Sequence, residues 1–449
     1  MEIYYKIIDD KNPESYAYKD GLNETDSLDP INYFWFTTLE NIPNFYSRGT
    51  TLTLVKLPST DPSFVMIKCK NEFKANKIIL YGRYSLFDPS TYQLFHLNIN
   101  HNYEIVDLAS KYGNIEFLQW FLTSGTPLHY SRCSMGWASA NGQISVLRWW
   151  LQSGLNLWYG PSVMDLAPSV EILQWWKTSG LELEYTSNAM DFARRVDILE
   201  WWKNSGLILQ YTSTAMIHAS DNQLPILIWW KLSGLELKFP LQIMDRVSAS
   251  GYSNILLWWK TSGLKIKHTR LSMDLASRNN HVEVLEWWKD SGLKLKYTCD
   301  AINDASSKGH IGVLDWWKNS GLQLKYTHRA INLASKDQGR VDVLDWWKNS
   351  GLELKYTHIA IDGASEAGHS LVLEWWKTSG LKLKYTSDAI DNASMRHHLC
   401  VLQWWKDSGL ELEYTDDAID FASTATKTPI QQWWKDSGLL LKYRDDALP

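Results

Sequence analysis

Cysteine is scarce in this chain, and its four cysteines lie too far apart to suggest a disulfide framework or a zinc site. They are Cys69, Cys133, Cys299 and Cys400, with no Cys-x-x-Cys pair among them. An excess of basic charge is also missing, because 45 Lys and Arg stand against 50 Asp and Glu, for a net charge of −5. No overall field therefore draws the chain to nucleic acid or to an anionic membrane. Long apolar runs are absent as well, so we expect a protein of a reducing compartment that does not enter a membrane.

Signatures of catalysis are missing too. The sequence contains no phosphate-binding glycine loop, no G-x-S-x-G and no H-E-x-x-H, and its twelve histidines are scattered. His397 and His398 are adjacent, which is the wrong spacing for two ligands on one helical face. We therefore predict no enzyme, no metal and no cofactor. A hidden catalytic site would have room only in residues 1 to about 100.

What the sequence does contain is one phrase, repeated from about residue 104 onward. A clear copy is YTHIAIDGASEAGHSLVLEWWKTSGLKLK, the 29 residues from Tyr356 to Lys384. Each copy carries an aromatic pair, whose first member falls at positions 120, 149, 175, 201, 229, 258, 287, 316, 346, 375, 404 and 433. Twelve repeats in register indicate small structures that bury their apolar faces against their neighbours.

Within one repeat, the apolar spacing predicts two helices joined by a turn. Ala360 and Ala364 share one helical stripe, and Val372 and Trp376 have the same i, i+4 spacing in a second helix. Gly380 can supply the left-handed residue that ends the second helix. The alternating segment that follows predicts a short extended link, and its threonine can cap the first helix of the next repeat.

These residues resemble the ankyrin repeat. AIDGASEAGH, at 360–369, is similar to the ankyrin phrase PLHxAAxxGH, and VLEWWKTSGL, at 372–381, is similar to its second helix and terminal glycine. The resemblance implies a mainly α fold, an ankyrin-like α-solenoid of about 12 helix-turn-helix repeats with short links. Ankyrin repeats usually run to about 33 residues, so these shorter repeats imply shortened or absent β-hairpin fingers.

A region with its own landmarks precedes the array. YKDGLN at 18–23, FWFTT at 34–38 and ANKIIL at 75–80 are similar to the N-terminal domain of ankyrin-repeat proteins that giant DNA viruses of amoebae, of the mimivirus kind, encode in large numbers. We therefore predict a small α+β N-terminal domain, residues 1–100, and an ankyrin-like repeat array, residues 101–449.

The 26 tryptophans allow three interpretations. Stacked rings can bind single-stranded nucleic acid, or can form an apolar patch for a partner. A Trp pair at one position of every repeat favours the third, in which the rings join adjacent second helices. The ankyrin resemblance implies that the second Trp is buried and the first lies nearer the outer surface. The lysine after the pair could meet phosphates, but an acid three residues earlier, as in Glu374 and Lys377, favours a solvated face.

An acidic ladder recurs in the first helices, at the position of the ankyrin histidine. It consists of Asp107, Asp165, Asp191, Asp245, Asp274, Asp362, Asp391 and Asp420, with Asn303 and Asn332 between them. The resemblance implies that the first helices line a concave face, where these acids could recruit a basic partner. In the alternative, each carboxylate binds neighbouring backbone or hydroxyl groups. The candidate partner-binding residues taken from this ladder are Asp274, Asp362, Asp391, Asp420, Asn303 and Asn332.

The two positions after the capping threonine vary strongly between repeats. The candidates there are His328, Arg329, His358, Ile359, Asp416 and Asp417. Variation on an otherwise constant scaffold is where partner recognition usually lies, so these residues complete the candidate site.

The sequence thus predicts a non-catalytic protein–protein interaction scaffold or adaptor, which binds a host or viral protein through the concave face of the array. It predicts neither a nucleic-acid nor a membrane partner. The alternative is a structural or assembly protein that self-associates through an uncapped C-terminal repeat or packs into a viral particle. The expected location is the host cytoplasm, or the virion.

Overall fold

The computed structural model describes residues 3–10, 17–25, 27, 29–99, 103–125, 127–419 and 429–439. The chain forms two compact halves, residues 1–215 and residues 216–449. The N-terminal half contains a β-rich region and the first repeats. The C-terminal half consists of repeats.

The β-rich region contains two antiparallel sheets. Their strands are β1 (Tyr4–Ile8), β2 (Gly21–Glu24), β3 (Phe34–Phe36), β4 (Thr51–Lys56), β5 (Met66–Lys68), β6 (Phe73–Ala75) and β7 (Lys77–Ser85). One sheet has the order β1-β4-β7-β2 and the other has the order β3-β6-β5. Two 3₁₀ helices, Pro30–Asn32 and Leu39–Arg48, lie between strands, and helix α1 (Pro89–Phe95) follows β7.

The sheets close around an aromatic and aliphatic core. Phe34 and Phe36 of β3, Val55 of β4, and Ile78 and Leu80 of β7 are buried in this core. In β3 and β7 they are alternate residues, and aromatic and β-branched side chains favour strands with one buried face. The predicted α+β character of the N-terminal region is confirmed.

One lysine is fully buried among these strands. The Nζ atom of Lys6 donates to the backbone oxygen of Trp35 at 2.9 Å. It also lies 4.0 Å from the ring centroid of Trp35 and 4.6 Å from that of Tyr18, where the ring faces attract a cation. Burial holds the pKa of Lys6 well below its usual value, and the positive charge of Arg48 lowers it further.

The β-rich region packs on the first repeat. The hydroxyl of Tyr112 donates to the carboxylate of Asp9, with oxygen–oxygen distances of 3.1 and 3.2 Å. The rings of Phe87 and Phe117 lie 5.7 Å apart, centroid to centroid. Burial and the Asp9 carboxylate raise the pKa of Tyr112 to about 12. Aromatic contacts and a half-buried phenol thus join the two regions.

Each repeat contributes a first and a second helix. The first helices are α2 (Tyr103–Lys111), α4 (Cys133–Ala140), α6 (Ser162–Asp165), α8 (Asn188–Asp191), α10 (Ser213–Ala219), α12 (Ile243–Ala249), α14 (Leu271–Arg278), α16 (Asp300–Lys308), α18 (Arg329–Lys336), α20 (Ile359–Glu366) and α22 (Asp388–Met395). The second helices are α3 (Ile115–Thr123), α5 (Ile144–Gln152), α7 (Val170–Thr178), α9 (Val196–Asn204), α11 (Leu224–Leu232), α13 (Ser253–Thr261), α15 (Val282–Asp290), α17 (Ile311–Asn319), α19 (Val341–Asn349), α21 (Ser370–Thr378), α23 (Leu399–Asp407) and α24 (Pro429–Asp436).

The first helices stack closely because their inner stripe carries small side chains. Ala360 and Ala364 of α20 are completely buried, and α20 packs against both α18 and α22. The second helix of the same repeat ends at Gly380, whose φ of 74° is the left-handed conformation that favours glycine. The link after Gly380 has neither helix nor strand. The predicted ankyrin-like architecture of two-helix repeats with short links is confirmed.

The second Trp of each pair fills the space between neighbouring repeats. Trp376 is buried, packs edge-on against Trp375 at 5.1 Å, and lies 4.8 Å from the ring of Tyr356. Its Nε1 donates to Ser335 Oγ, in the preceding repeat, at 3.2 Å. The predicted burial of the second Trp is confirmed, and its polar edge is hydrogen-bonded rather than left in the core.

The two 26-residue steps shorten their first helices to four residues, α6 and α8. At the place where other repeats carry the serine that accepts from Trp, α6 is followed by Ala167 and Pro168. The buried Nε1 of Trp202, in the next repeat, accordingly has no hydrogen-bond partner among the residues that the structure describes. This deletion therefore removes one interaction between repeats as well as about one helical turn.

Candidate partner-binding face

A hydrogen-bonded ladder runs along the first helices. The carboxylate of Asp362 accepts from the backbone N–H of Thr386 at 3.0 Å and from the Thr386 hydroxyl at 2.8 Å. The same two hydrogen bonds join Asp165 to Thr186, Asp191 to Thr212, Asp245 to Thr269, Asp274 to Thr298, and Asp391 to Thr415. We call this set the Asp–Thr ladder. Because each aspartate bonds the threonine of the following repeat, the ladder fastens the repeats to one another.

Two repeats use asparagine in the same position. Thr357 N–H donates to Asn332 Oδ1 at 3.1 Å, and Asn332 Nδ2 donates to Thr357 Oγ1 at 2.8 Å. Asn303 and Thr327 have the same arrangement. The threonine hydroxyl is therefore a donor to aspartate and an acceptor from asparagine, and its ability to do both permits either residue.

The candidate binding residues on this ladder are buried. Asp274, Asn303, Asn332, Asp362 and Asp391 each expose less than a tenth of their surface. Burial raises the pKa of Asp274 and of Asp391, although their hydrogen bonds to threonine oppose this effect. Their polar atoms are occupied within the array, so they leave little for a partner to contact. Asp420 lies outside the described residues.

The variable positions differ in exposure. His328, Arg329, His358 and Ile359 are exposed, whereas Asp416 and Asp417 are half-buried. His358 Nδ1 lies 2.9 Å from the Asp362 carboxylate, so this histidine covers one rung of the Asp–Thr ladder. The structure thus places four of these six candidates on an open surface.

A groove of about 450 Å³ lies on the outer side of α14, α16 and α18. Charged side chains of both signs line it, namely Arg278, Asp300, Asp304, Lys308, Arg329 and Asp337. Asp337 is held in place by the hydroxyl of Ser307, which donates to its Oδ2 at 2.5 Å. Burial raises the pKa of Asp304, with the nearby charges as smaller influences. We call this the first-helix groove.

Of the residues that line this groove, only Arg329 is among those predicted from the sequence. A signal was present, because Asp300, Asp304 and Lys308 are spaced four apart and so lie on one face of α16. The Asp–Thr ladder, which repeats more regularly, drew attention to the inner stripe instead. The residues that repeat regularly are those that hold the repeats together, whereas the exposed residues of the first helices vary from repeat to repeat.

The first Trp of each pair forms a second ladder on the second helices. The Nε1 atoms donate to a side chain in the preceding repeat, from Trp316 to Glu286, from Trp346 to Asp315, from Trp375 to Asp345 and from Trp404 to Glu374, at 2.5 to 2.8 Å. We call this set the outer Trp ladder. The acids expected to pair with lysine three residues later therefore bind indole instead, and Glu286 additionally lies 3.7 Å from Lys289.

No family model matches the chain, but proteins of Acanthamoeba polyphaga mimivirus do. The uncharacterized protein L696 is 38% identical over 130 residues, which cover 29% of this chain and 37% of that protein. The putative ankyrin repeat protein L273 is 34% identical over 128 residues, 28% of each chain. Over these stretches the chain is similar to mimivirus proteins that include a putative ankyrin repeat protein. The match spans 37% of the length of the first relative and 28% of the second.

Solved structures with similar repeats share little sequence with this ankyrin-type array. The human ASB11 ankyrin repeat domain has a TM-score of 0.36 and 13% identity, covering 43% of this chain and 96% of that chain. The pentatricopeptide repeat protein PPR10, in complex with an 18-nt psaJ RNA element, has a TM-score of 0.34 and 9% identity. The match covers 71% of this chain and 55% of that chain. Similarity at this level carries no information about function.

Within the described residues, no group of three or more His, Cys, Asp or Glu could hold a metal ion. No helix in the described part of the chain is long and apolar enough to cross a membrane.

Proposed function

We propose that this chain is a non-catalytic scaffold that binds a protein partner through the exposed side chains of its first helices. The observation that carries the proposal is the contrast within α14, α16 and α18. Their inner stripe repeats the same small and hydrogen-bonding residues, whereas their outer stripe changes in charge and size and forms the first-helix groove. Variable surface on a constant frame is typical of recognition by repeat proteins.

The chemistry of the groove favours a partner segment that carries both charges. Arg278, Lys308 and Arg329 offer donors, and Asp300 and Asp304 offer acceptors, along adjacent helices. Only one ion pair between the two sets comes within 4 Å, between Arg329 and Asp300 at 3.9 Å. Complementary charges on a partner would set its register along the helices and speed its association.

The outer Trp ladder supports a protein partner over a single-stranded nucleic acid. Each of these indoles lies edge-on to the buried Trp beside it, as in Trp346 and Trp347, and the ring is half-buried. Its N–H is bound by a carboxylate such as Asp315. Bases need open ring faces and basic neighbours, whereas this ladder offers partly covered rings beside acids.

The similarity to mimivirus proteins supports an infected amoeba as the setting of this proposal. We propose a host or viral protein as the partner, met in the host cytoplasm. The experiment is affinity capture from Acanthamoeba lysate with the whole protein as bait, with quantification of each retained protein. Reversing the charge in the groove, by Arg278→Glu and Arg329→Glu together, is expected to abolish retention of the specific partner.

A matched control keeps this experiment specific. Lys318→Glu makes the same kind of change on α17, a second helix outside the first-helix groove, and is expected to leave retention unchanged. Equal retention by wild type and by the Arg278→Glu/Arg329→Glu variant would contradict the proposal. Circular dichroism and thermal melts of all three proteins establish that the fold is intact.

Self-association is the second candidate, and apolar residues in the N-terminal half favour it. Trp137, Leu166 and Phe192 occupy the same outward position in three successive first-helix segments, and all three are exposed. Light scattering after size exclusion tests it. Oligomers that grow with concentration and are lost on Leu166→Asn would favour assembly, whereas a monomer across the range would favour the scaffold.

A further inference from the structure

The residue before the Trp pair of the second helix is polar in all repeats but two. It is Gln119, Arg148, Gln174, Glu200, Glu286, Asp315, Asp345, Glu374, Gln403 or Gln432. In α11 and α13 it is Ile228 and Leu257, which are 41% and 54% exposed. Leu232, which follows the lysine of α11, is 76% exposed where every other repeat carries a polar residue. Exposed aliphatic side chains concentrated in two adjacent repeats mark an interaction surface.

The change at Leu257 also interrupts the outer Trp ladder. In the four repeats that follow, the indole N–H donates to a carboxylate one repeat earlier, as Trp316 donates to Glu286 at 2.5 Å. Trp287 faces Leu257 instead, and both residues line one groove. Leucine has no acceptor, so among the described residues nothing accepts from the N–H of Trp287. The half-buried ring of Trp287 and its N–H, which has no acceptor among those residues, therefore lie beside the aliphatic side chain of Leu257.

The groove lies between α13 and α15 and has a volume of about 550 Å³. Leu257 and Trp287 form its apolar wall, and Glu283, Glu286 and Asp290 form its acidic side. Lys260 also lines it and donates from Nζ to the backbone oxygen of Asp290 at 3.2 Å. We call this the Leu257 groove.

Two of the three acids are available to a partner. Glu286 already accepts from the next tryptophan. The carboxylates of Glu283 and Asp290 have no cation within 4 Å among the residues that the structure describes. Three acids against one lysine leave the groove with a net charge of 1 − 3 = −2. The electrostatic complement of the Leu257 groove is therefore a cation with an apolar neighbour.

We propose that the Leu257 groove is a docking site for a short protein segment that combines an aliphatic side chain with a lysine or arginine. The aliphatic side chain packs on Leu257 and Trp287, where it removes apolar surface from water. The cationic side chain lies between Glu283 and Asp290 and over the face of Trp287, where charge pairing and cation–π attraction both favour binding. An acceptor in the segment, such as a backbone oxygen, takes the free N–H of Trp287.

The size of the groove sets the length of the segment. The nine-residue helices that form its walls are about 13 Å long, which matches about four extended residues or two helical turns. A four-residue motif of this composition is short enough to be found by an unbiased peptide library. The proposal is independent of the first-helix groove, because the two sites share no residue.

The test is selection from a random 12-residue peptide library on the whole protein, followed by fluorescence polarisation of the enriched peptides. We expect enriched peptides to pair Leu, Ile or Val with Lys or Arg. Leu257→Gln, which restores the side-chain type of neighbouring repeats, is expected to weaken their binding at least tenfold. Glu283→Gln with Asp290→Asn is expected to weaken it several-fold and to reduce its dependence on salt.

Leu371→Gln is the matched control, because Leu371 is also an exposed leucine of a second helix but has a glutamate before its Trp pair. It is expected to bind like wild type. The proposal is overturned if no peptide is enriched, if the enriched peptides are acidic, or if Leu257→Gln binds as tightly as Leu371→Gln. Dimers of the whole protein that Leu257→Gln dissociates, without peptide enrichment, would assign the surface to a second copy instead.

Discussion

Ser365 and Trp405 belong to neighbouring repeats, and the indole Nε1 of Trp405 donates to Ser365 Oγ at 3.0 Å. Both side chains are buried. The same bond recurs from Trp434 to Ser394 at 2.8 Å. In these repeats the serine of one repeat therefore satisfies the polar edge of the largest side chain of the next, and this bond gives that part of the stack both stability and register.

Removal of the serine hydroxyl is the first prediction. Ser365→Ala leaves the buried N–H of Trp405 without an acceptor and is expected to lower the free energy of unfolding by about 1–3 kcal/mol. Equilibrium urea denaturation and hydrogen exchange of the repeat measure this loss. Ser220→Ala is the matched control, because Ser220 Oγ and Trp259 Nε1 are buried and have no hydrogen-bond partner within the described part of the chain. A loss in Ser220→Ala as large as in Ser365→Ala would contradict the assignment.

The Asp–Thr ladder provides the second prediction. Asp274→Ala leaves the N–H and hydroxyl of Thr298 without their acceptor and is expected to cost about 1–3 kcal/mol of unfolding free energy. Asp274→Asn is expected to cost less, because Asn303 and Asn332 occupy the same position and bind threonine. Urea denaturation of both variants at pH 7 decides this. If both variants were equally destabilised, the carboxylate charge rather than the hydrogen bonds would be responsible.

The same aspartate gives a pH dependence. Burial raises the pKa of Asp274 above its ordinary value of 3.8. Between that value and the higher pKa of the folded state, the folded protein binds more protons than the unfolded chain, so the contribution of Asp274 to stability falls as pH rises. Asp274→Asn removes this dependence. We expect Asp274→Asn to gain stability relative to wild type as pH rises through this window, measured by urea denaturation at successive pH values.

Lys6 gives the opposite dependence. Its pKa lies well below 10.5, so between the two values the folded protein binds fewer protons than the unfolded chain. Its contribution to stability therefore rises with pH. Lys6→Met, which keeps the length and removes the charge, is expected to lose this rise. Urea denaturation of wild type and Lys6→Met between pH 6 and pH 10 measures this rise. If the free energy of unfolding changed with pH in the same way in both proteins, the lowered pKa of Lys6 would be contradicted.

The last prediction concerns the gap in the outer Trp ladder. Leu257→Gln supplies an acceptor for the Trp287 N–H, as Gln403 does for Trp433 at 2.9 Å. We expect the free energy of unfolding to increase by about 0.5–1 kcal/mol, and Leu371→Gln to leave it unchanged. A decrease for Leu257→Gln would show that this leucine contributes to the core of the array rather than to its surface.

The sequence by itself determined the repeats and their two helices, and its ankyrin resemblance implied the burial of the second Trp. Ala360 and Ala364 reveal their roles through spacing within one helix, and such spacing is a local property of the chain. Gly380 marks the end of a helix for the same reason, because a left-handed residue is a local requirement. Twelvefold repetition then separated these signals from chance.

Only the tertiary structure decided where the polar side chains of one repeat meet the next. Asp274 and Thr298 are 24 residues apart, and Trp405 and Ser365 are 40 apart. The spacing of residues within a helix does not predict that such pairs are in contact, because their contact depends on how two repeats stack. The same stacking turned the candidate acids inward, and it placed Leu257 and Trp287 on one groove although they belong to different repeats.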